Sequence, residues 1–382
     1  MAVFERLLNL PHLLQQKSFF LFGPRATGKS FLIRQQLKET AVVLNLLNHD
    51  TFVQLSLSPH AIEKFVEKHK DFRYIVIDEV QKIPALLDEV HRLIEERQWR
   101  FLLTGSSARK LRRANVNLLA GRAWEARLFP LTSREIPNFN LSHYLLVGGL
   151  PAVYTAQKPD EELFAYVHTY LQEEIQAEAL VRKLPAFTRF LYFAAMTNGD
   201  ILNFAKMSSD VGVAAVTIRE YYQVLEDTFI GFMMPAYART SKRKAHSAGK
   251  FYFFDLGIRN VLASINSLSE KTDIYGQAFE HFIALEIRAY LSYKRLRLPL
   301  SYWQSMSGYE VDIIIGDKVA VEVKSSKEIR DRDFKTLRLF SEEQAVEKYY
   351  LVSRCEFPMR EKNIDALYWE DFLNKLWAGE II

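Results

Sequence analysis

Residues 23–30 read Gly23-Pro24-Arg25-Ala26-Thr27-Gly28-Lys29-Ser30, a complete G-x-x-x-x-G-K-S. No other stretch restricts the fold as tightly, because such a loop has to leave a strand and enter a helix. The flanks comply. The apolar run Phe19-Phe20-Leu21-Phe22 precedes it, and Phe31-Leu32-Ile33-Arg34-Gln35-Gln36-Leu37, with helical spacing, follows. Glycines let the backbone curl until successive N–H groups point inward. The helix then offers its positive N-terminal end to the same place. The reading is a phosphate-binding loop from Gly23 through Phe31, with Lys29 reaching the β- and γ-phosphates of ATP and the Ser30 hydroxyl ligating Mg²⁺.

Tyr74-Ile75-Val76-Ile77-Asp78-Glu79 is an apolar run that ends in two acids. It suits a buried parallel strand with its carboxylates at the C-terminal edge, where ligands of open α/β sheets gather. Asp78 reads as a Mg²⁺ ligand, directly or through water. Glu79 is placed to polarise the attacking water as general base. Phe101-Leu102-Leu103-Thr104-Gly105-Ser106-Ser107 brings a third strand to that edge, and Thr104 or Ser106 could bond the γ-phosphate or the lytic water. A plain strand running into a Ser-rich turn reads the same way. Arg122, in Leu119-Ala120-Gly121-Arg122-Ala123, is a candidate arginine finger, since a planar guanidinium suits phosphate charge. Whether it serves its own chain or a neighbouring subunit is open.

The chain has 382 residues, 49% hydrophobic and 25% charged, the profile of a globular protein of two or three domains. Net charge is only +4, so nucleic-acid affinity would have to come from local patches. A single cysteine, Cys355, excludes an intrachain disulfide and fits a reducing compartment. No apolar stretch reaches the roughly 18 residues of a membrane span, and the N-terminus lacks a signal-peptide pattern. A cytoplasmic protein without a membrane partner is expected.

Strand and helix patterns alternate over 1–155, as a parallel sheet requires. Gly148-Gly149-Leu150-Pro151 closes that block. Residues 156–265 form a helical block. Within it, Ile201–Met207, Ser208–Val213 and Ala214–Glu226 read as three short helices of helix-turn-helix type. Thr217 and Arg219 fall on an exposed side of the third. Two strand-like runs, 229–237 and 250–255, flank a basic loop carrying Arg239, Lys242, Arg243, Lys244 and His246, which completes a winged-helix pattern. A wing of that charge suits phosphate contacts, although a winged helix used only for protein contacts fits as well.

Residues 266–382 hold a second constellation. Glu310-Val311-Asp312-Ile313-Ile314-Ile315 and Val319-Ala320-Val321-Glu322-Val323-Lys324 flank Gly316-Asp317-Lys318 and read as a hairpin. Asp-x₉-Glu-x-Lys is the spacing of a PD-(D/E)xK nuclease core, in which Asp312 and Glu322 would bind metal and Lys324 would help activate water. Glu280, on a helix, could add a carboxylate.

With these motifs in order, the chain resembles the prokaryotic AAA+-like P-loop ATPases, which have an AAA_14-type N-terminal domain and a DUF4143 C-terminal domain. The likeness also rests on Phe129-Pro130-Leu131-Thr132-Ser133-Arg134-Glu135, Phe254-Asp255-Leu256-Gly257 and Val321-Glu322-Val323-Lys324-Ser325-Ser326. It departs where relatives carry Arg-Asp and this chain has Glu173-Glu174, and at Leu256, where a small polar residue is usual. The resemblance implies an α/β chain: a P-loop NTPase parallel sheet, a winged-helix segment, then a PD-(D/E)xK nuclease-like domain. The expected function is Mg²⁺-dependent ATP hydrolysis coupled to DNA binding or remodelling, with a homo-oligomer allowed. The alternatives are an ATP-gated metal-dependent nuclease and a nucleotide-switched adaptor with an inactive nuclease fold.

Overall fold

The computed structural model describes residues 3–69, 71–105, 119, 121–171, 184–239, 248–343 and 345–382, without the side chains of 170, 171 and 184. The chain forms two compact units. The first comprises Met1–Pro137, Leu150–Thr155 and Gln223–Ile230, and the second Asn138–Gly149, Ala156–Tyr222 and Gly231–Ile382.

The first unit is built from α1 (Leu10–Gln16), β1 (Ser18–Phe22), α2 (Lys29–Leu37), β2 (Ala41–Asn45), α3 (His49–Leu57), α4 (Ala61–Glu67), β3 (Tyr74–Asp78), α5 (Leu86–Arg97), β4 (Phe101–Gly105) and β5 (Ala123–Arg127). All five strands are parallel, in the order β2-β3-β4-β1-β5. Every residue of β1, β3 and β4 is buried, which is why they read as unbroken apolar runs. Phe20, Phe22, Leu44, Ile77 and Leu103 meet Leu86, Val90 and Leu93 of α5 in one core. Register aligns the strand ends, with Phe22 opposite both Gly105 and Arg127 and Asn45 opposite Asp78. The phosphate loop, Asp78 and Thr104 therefore share one edge.

The second unit contains α6 (Leu184–Met196), α7 (Phe204–Val211), most of α8 (Ala215–Asp227), the antiparallel pair β6 (Gly231–Met234) and β7 (Lys250–Phe253), α9 (Leu256–Leu262) and α10 (Asp273–Tyr293). The helix pattern differs from the sequence reading. Ile201 is not helical but bridges to Lys250. The Asn203 side chain accepts the Lys206 N–H at 3.0 Å and starts α7, and left-handed Gly212 ends it, so a single helix stands where spacing suggested two. Arg219 is stacked 5.0 Å from the Phe204 ring centroid. The basic residues 242–246, Ser106, Ser107, Glu173 and Glu174 lie outside the described residues.

The second unit continues with β8 (Leu300–Gln304), β9 (Glu310–Ile315), β10 (Val319–Lys324), α11 (Lys335–Ser341), β11 (Lys348–Ser353), β12 (Met359–Glu361), β13 (Ile364–Tyr368) and α12 (Trp369–Ala378). Six strands form a mixed sheet, ordered β12-β13-β11-β10-β9-β8. The expected hairpin is present, with Val319 opposite Ile315. Trp303, Ile314, Ala320 and Leu351 pack with Leu337 and Phe340 of α11. Elsewhere in this unit, two motifs interlock. A Cβ on Gly148 would stand 2.1 Å from Asp255 Oδ1, and one on Gly257 would stand 2.1 Å from the Val147 carbonyl. Among the described residues, no helix is long and apolar enough to cross a membrane.

Candidate functional site

The phosphate loop joins β1 to α2 under tight backbone constraint. Gly23 takes φ +155°, and a Cβ there would lie 2.4 Å from the Leu128 carbonyl oxygen, so only glycine fits. Gly28 caps α2 in the left-handed region. Ala26, at φ 62°, adopts that region without being glycine. The loop is curled: Lys29 Nζ donates to the carbonyls of Gly23 (2.7 Å) and Pro24 (2.9 Å), and Thr27 Oγ1 donates to Pro24 at 2.9 Å.

A hydroxyl-supported carboxylate sits at the neighbouring strand end. Asp78 Oδ2 accepts from Ser30 Oγ at 2.9 Å, and Asp78 Oδ1 accepts from Thr104 Oγ1. Thr104 Oγ1 in turn accepts the Glu79 N–H at 3.0 Å. Loop, Asp78, Thr104 and Glu79 are thus one hydrogen-bonded chain across three strands. Glu79 is left-handed, at φ 63° and ψ 46°. That conformation costs a non-glycine residue on the order of 1–2 kcal/mol. The Glu79 carboxylate accepts from Gln81 Nε2. The donor set of hydroxyl plus carboxylate oxygens fits Mg²⁺, a hard cation.

Beside the loop lies a cavity of about 210 Å³, walled by Phe4, Phe31, Leu131 and Pro151, with Arg6 and Thr155 as its polar side chains. Phe31 remains 43% exposed although it is a large aromatic, and it forms part of this wall.

Arg122 is not brought to the loop. It precedes Ala123, which pairs with Ser18 at the start of β1, four residues before Phe22. At about 3.3 Å per residue, Arg122, five positions before Arg127, lies about 16 Å from the phosphate edge along the strand. There it pairs with Glu95. Arg127, opposite Phe22, is the arginine at the loop end of β5 and was passed over in the sequence. Its guanidinium lies 5.4 Å from the Phe229 ring centroid.

Residues 15–137 match the family described as AAA domain. That segment carries the phosphate loop and all five parallel strands, the sheet of a P-loop NTPase fold. Residues 138–269 and 275–372 match two domains of unknown function, DUF8612 and DUF4143. Two curated proteins are similar to the chain. An uncharacterized protein of Haemophilus influenzae is 23% identical over 295 residues, covering 69% of this chain and 72% of the relative. The uncharacterized protein MJ1544 of Methanocaldococcus jannaschii is 19% identical over 335 residues, covering 79% and 73%. Among solved structures, the Aeropyrum pernix ORC1 protein in complex with DNA overlaps 65% of this chain and 86% of its own, at 13% identity and a TM-score of 0.26. AMPPCP-bound DnaA from Aquifex aeolicus overlaps 56% and 85%, at 11% identity and a TM-score of 0.27.

The second constellation, outside the AAA domain, is assembled more fully than its sequence motif suggested. Asp312 Oδ2 accepts the Val323 N–H at 2.7 Å, and Glu322 Oε1 accepts from Lys324 Nζ at 2.6 Å. Glu322 Oε2 is buried without a hydrogen-bond partner. Burial, then the charges of Glu322 and Glu280, push the Asp312 carboxyl well above its ordinary range. Burial likewise raises Glu322, against the opposing pull of Lys324. Glu280 is held by Tyr252 Oη at 2.6 Å and by Lys250 Nζ at 3.5 Å. Lys250, whose side chain is 3% exposed, also pairs with Glu310. Burial pulls its ammonium down, but Glu280, Tyr252 and Glu310 outweigh that and raise it. Lys250, Tyr252 and Glu310 were missed. The available signal was a lysine heading the otherwise apolar run Lys250-Phe251-Tyr252-Phe253-Phe254. Among the described residues, no group of three or more His, Cys, Asp or Glu is placed to hold a metal.

Proposed function

We propose that the AAA domain is a Mg²⁺-dependent ATPase. The observation that carries this is the chain of hydrogen bonds from Ser30 through Asp78 and Thr104 to Glu79, set at the foot of the phosphate loop. Mg²⁺ would neutralise charge on the β- and γ-phosphates, with Ser30 and Asp78 as its protein donors. Backbone N–H groups along Gly23–Ser30, other than the donor-less Pro24, would hold the phosphates. Lys29 exchanges two carbonyl acceptors of its own loop for phosphate oxygens. Glu79 orients a water and takes its proton, and its left-handed backbone fixes where that carboxylate points. Thr104 keeps Asp78 and Glu79 in register. The base enters the apolar cavity against Phe31. Arg122, remote from its own loop, is suited only to a second copy's phosphates. Lys29→Ala should abolish ATP uptake in calorimetry. Uptake at the wild-type level would sink this assignment.

For the second unit, the buried, unpartnered Glu322 Oε2 favours one further reading. Asp312 and Glu322 take a divalent cation, with Lys324 beside it, as a nuclease-like site. Two carboxylates fit one hard cation, since Lys250 already occupies Glu280 and Glu310. Calorimetry with Mn²⁺ on wild type and Asp312→Asn tests binding, and plasmid nicking tests cleavage. The order helix–bridge–helix–helix–hairpin over 184–253 supports a winged-helix reading and, with it, DNA as the partner. A gel-shift series in rising salt checks this, because phosphate contacts weaken steeply with salt. No binding at low salt would leave protein docking as the role of this segment. The limits 1–155, 156–265 and 266–382 remain our proposal for the domains.

A further inference from the structure

The motif Phe129-Pro130-Leu131-Thr132-Ser133-Arg134-Glu135 has no place in the chemistry above, yet it reaches the phosphate loop through one residue. Arg6, with a side chain only 4% exposed, spreads its guanidinium over three acceptors from two segments, the phosphate loop and the 129–135 motif. Nε donates to Glu135 Oε1 at 3.0 Å, Nη1 to the Thr27 carbonyl at 2.8 Å and Nη2 to the Phe129 carbonyl at 2.6 Å. Glu135 is itself fixed: Oε1 also accepts the Leu7 N–H at 2.8 Å, and Oε2 accepts the Thr132 N–H at 3.0 Å. A planar fork with fixed N–H directions meets such a set, whereas a lysine ammonium carries a point charge and fewer donors.

Thr27 belongs to the phosphate loop, and its carbonyl shares one rigid peptide plane with the Gly28 N–H. In a trans peptide the two point in opposite directions. Holding the Thr27 oxygen outward on Arg6 therefore aims the Gly28 N–H the other way, toward the inside of the curl. The second carbonyl that Arg6 grips, Phe129, follows Leu128, whose oxygen buttresses the start of the loop at Gly23. One guanidinium thus ties the crest of the loop to the segment after β5 that abuts the start of the loop.

We propose that Arg6 is a positioning residue for nucleotide binding, setting the Thr27–Gly28 peptide so that its N–H meets a phosphate oxygen, and that Glu135 orients Arg6 for this role. The proposal rests on the ATPase reading of the loop. It is tested on the full chain with Arg6→Lys and with the milder Glu135→Gln. ATP affinity from calorimetry should fall tenfold or more in Arg6→Lys and by a smaller factor in Glu135→Gln. Hydrogen exchange in the peptide spanning 23–30 should accelerate, without nucleotide, while peptides from β1 and β4 keep wild-type protection. Wild-type affinity in a folded Arg6→Lys protein overturns the proposal. So does faster exchange spread evenly over the first unit, which would make Arg6 a fold residue and nothing more. If Arg6→Lys does not fold, Glu135→Gln decides by the same two readouts. Failure of the wild-type chain to take up ATP would remove the ATPase reading itself, a result distinct from either.

Discussion

Two carboxylate clusters stand in this chain, and they are supported in opposite ways. At the edge of the parallel sheet, Asp78 is held by the hydroxyls of Ser30 and Thr104. Hydroxyls orient a carboxylate without cancelling its charge, so it stays available to a cation. In the mixed sheet, Glu280 and Glu310 are held by Lys250 and Glu322 by Lys324. There much of the charge is balanced by the protein. Among the described residues, the first arrangement leaves the charge of Asp78 unbalanced by any cation of its own, whereas the second balances most of its charge and leaves Glu322 Oε2 as its one open acceptor among these groups. Buried ion pairs of the latter kind are costly to interrupt, because removing one member strands the other.

The sharpest break in this comparison comes at Glu79. Glu79→Gln should keep ATP binding and lower kcat by roughly 10²–10⁴, the usual worth of a general base. Undiminished turnover would remove Glu79 from the chemistry. Next is Lys250→Met, which leaves Glu280 and Glu310 uncompensated. We expect a loss of about 3–5 kcal/mol in denaturant unfolding. The matching lesion at the other cluster, Thr104→Val, should cost only about 1–3 kcal/mol, since hydroxyl bonds are lost and no charge is stranded. It should nevertheless lower turnover more than Lys250→Met does. If the two variants destabilise equally, the contrast between the clusters is wrong.

The smallest effect belongs to the surface. Arg354, then Lys327 at 3.0 Å, hold the Glu270 carboxyl down at about 2. A carboxylate depressed in the folded state stabilises above its unfolded value and loses that contribution as pH falls through the folded value. Wild type should therefore lose more stability between pH 5 and pH 2 than Glu270→Gln does. Because Glu270 is exposed, the difference should stay below about 1 kcal/mol and shrink in salt. A larger gap between the two melting curves would contradict the small weight given to surface pairs.

What could be read in advance followed locality. The loop, Asp78-Glu79 and the β9–β10 hairpin are contiguous patterns, and each was legible because its residues act within a few positions of one another. The Arg6–Glu135 pair spans 129 positions and could not be seen. Lys250 joins Glu310 from 60 positions away, so the carboxylate cluster appeared as a trio without its resident ammonium. Arg122 was identifiable as an arginine near phosphate-type motifs, but its strand register placed it at the far edge of the sheet. The helix boundary at Asn203 was misread because apolar spacing at Ile201 and Leu202 outweighed a cap residue in plain view.

Gly148, faced by Asp255, and Gly257, faced by the Val147 carbonyl, carry a consequence for how this chain can vary. The Asp255 carboxylate fills the room a side chain at 148 would need, while accepting the Gly149 N–H at 2.8 Å and the Ile258 N–H at 3.2 Å. The backbone of Val147 does the same to position 257. These stretches lie more than a hundred residues apart, yet neither can gain bulk alone. Across descendants of this sequence they should drift as a pair, with any enlargement at 148 accompanied by a shorter residue at 255.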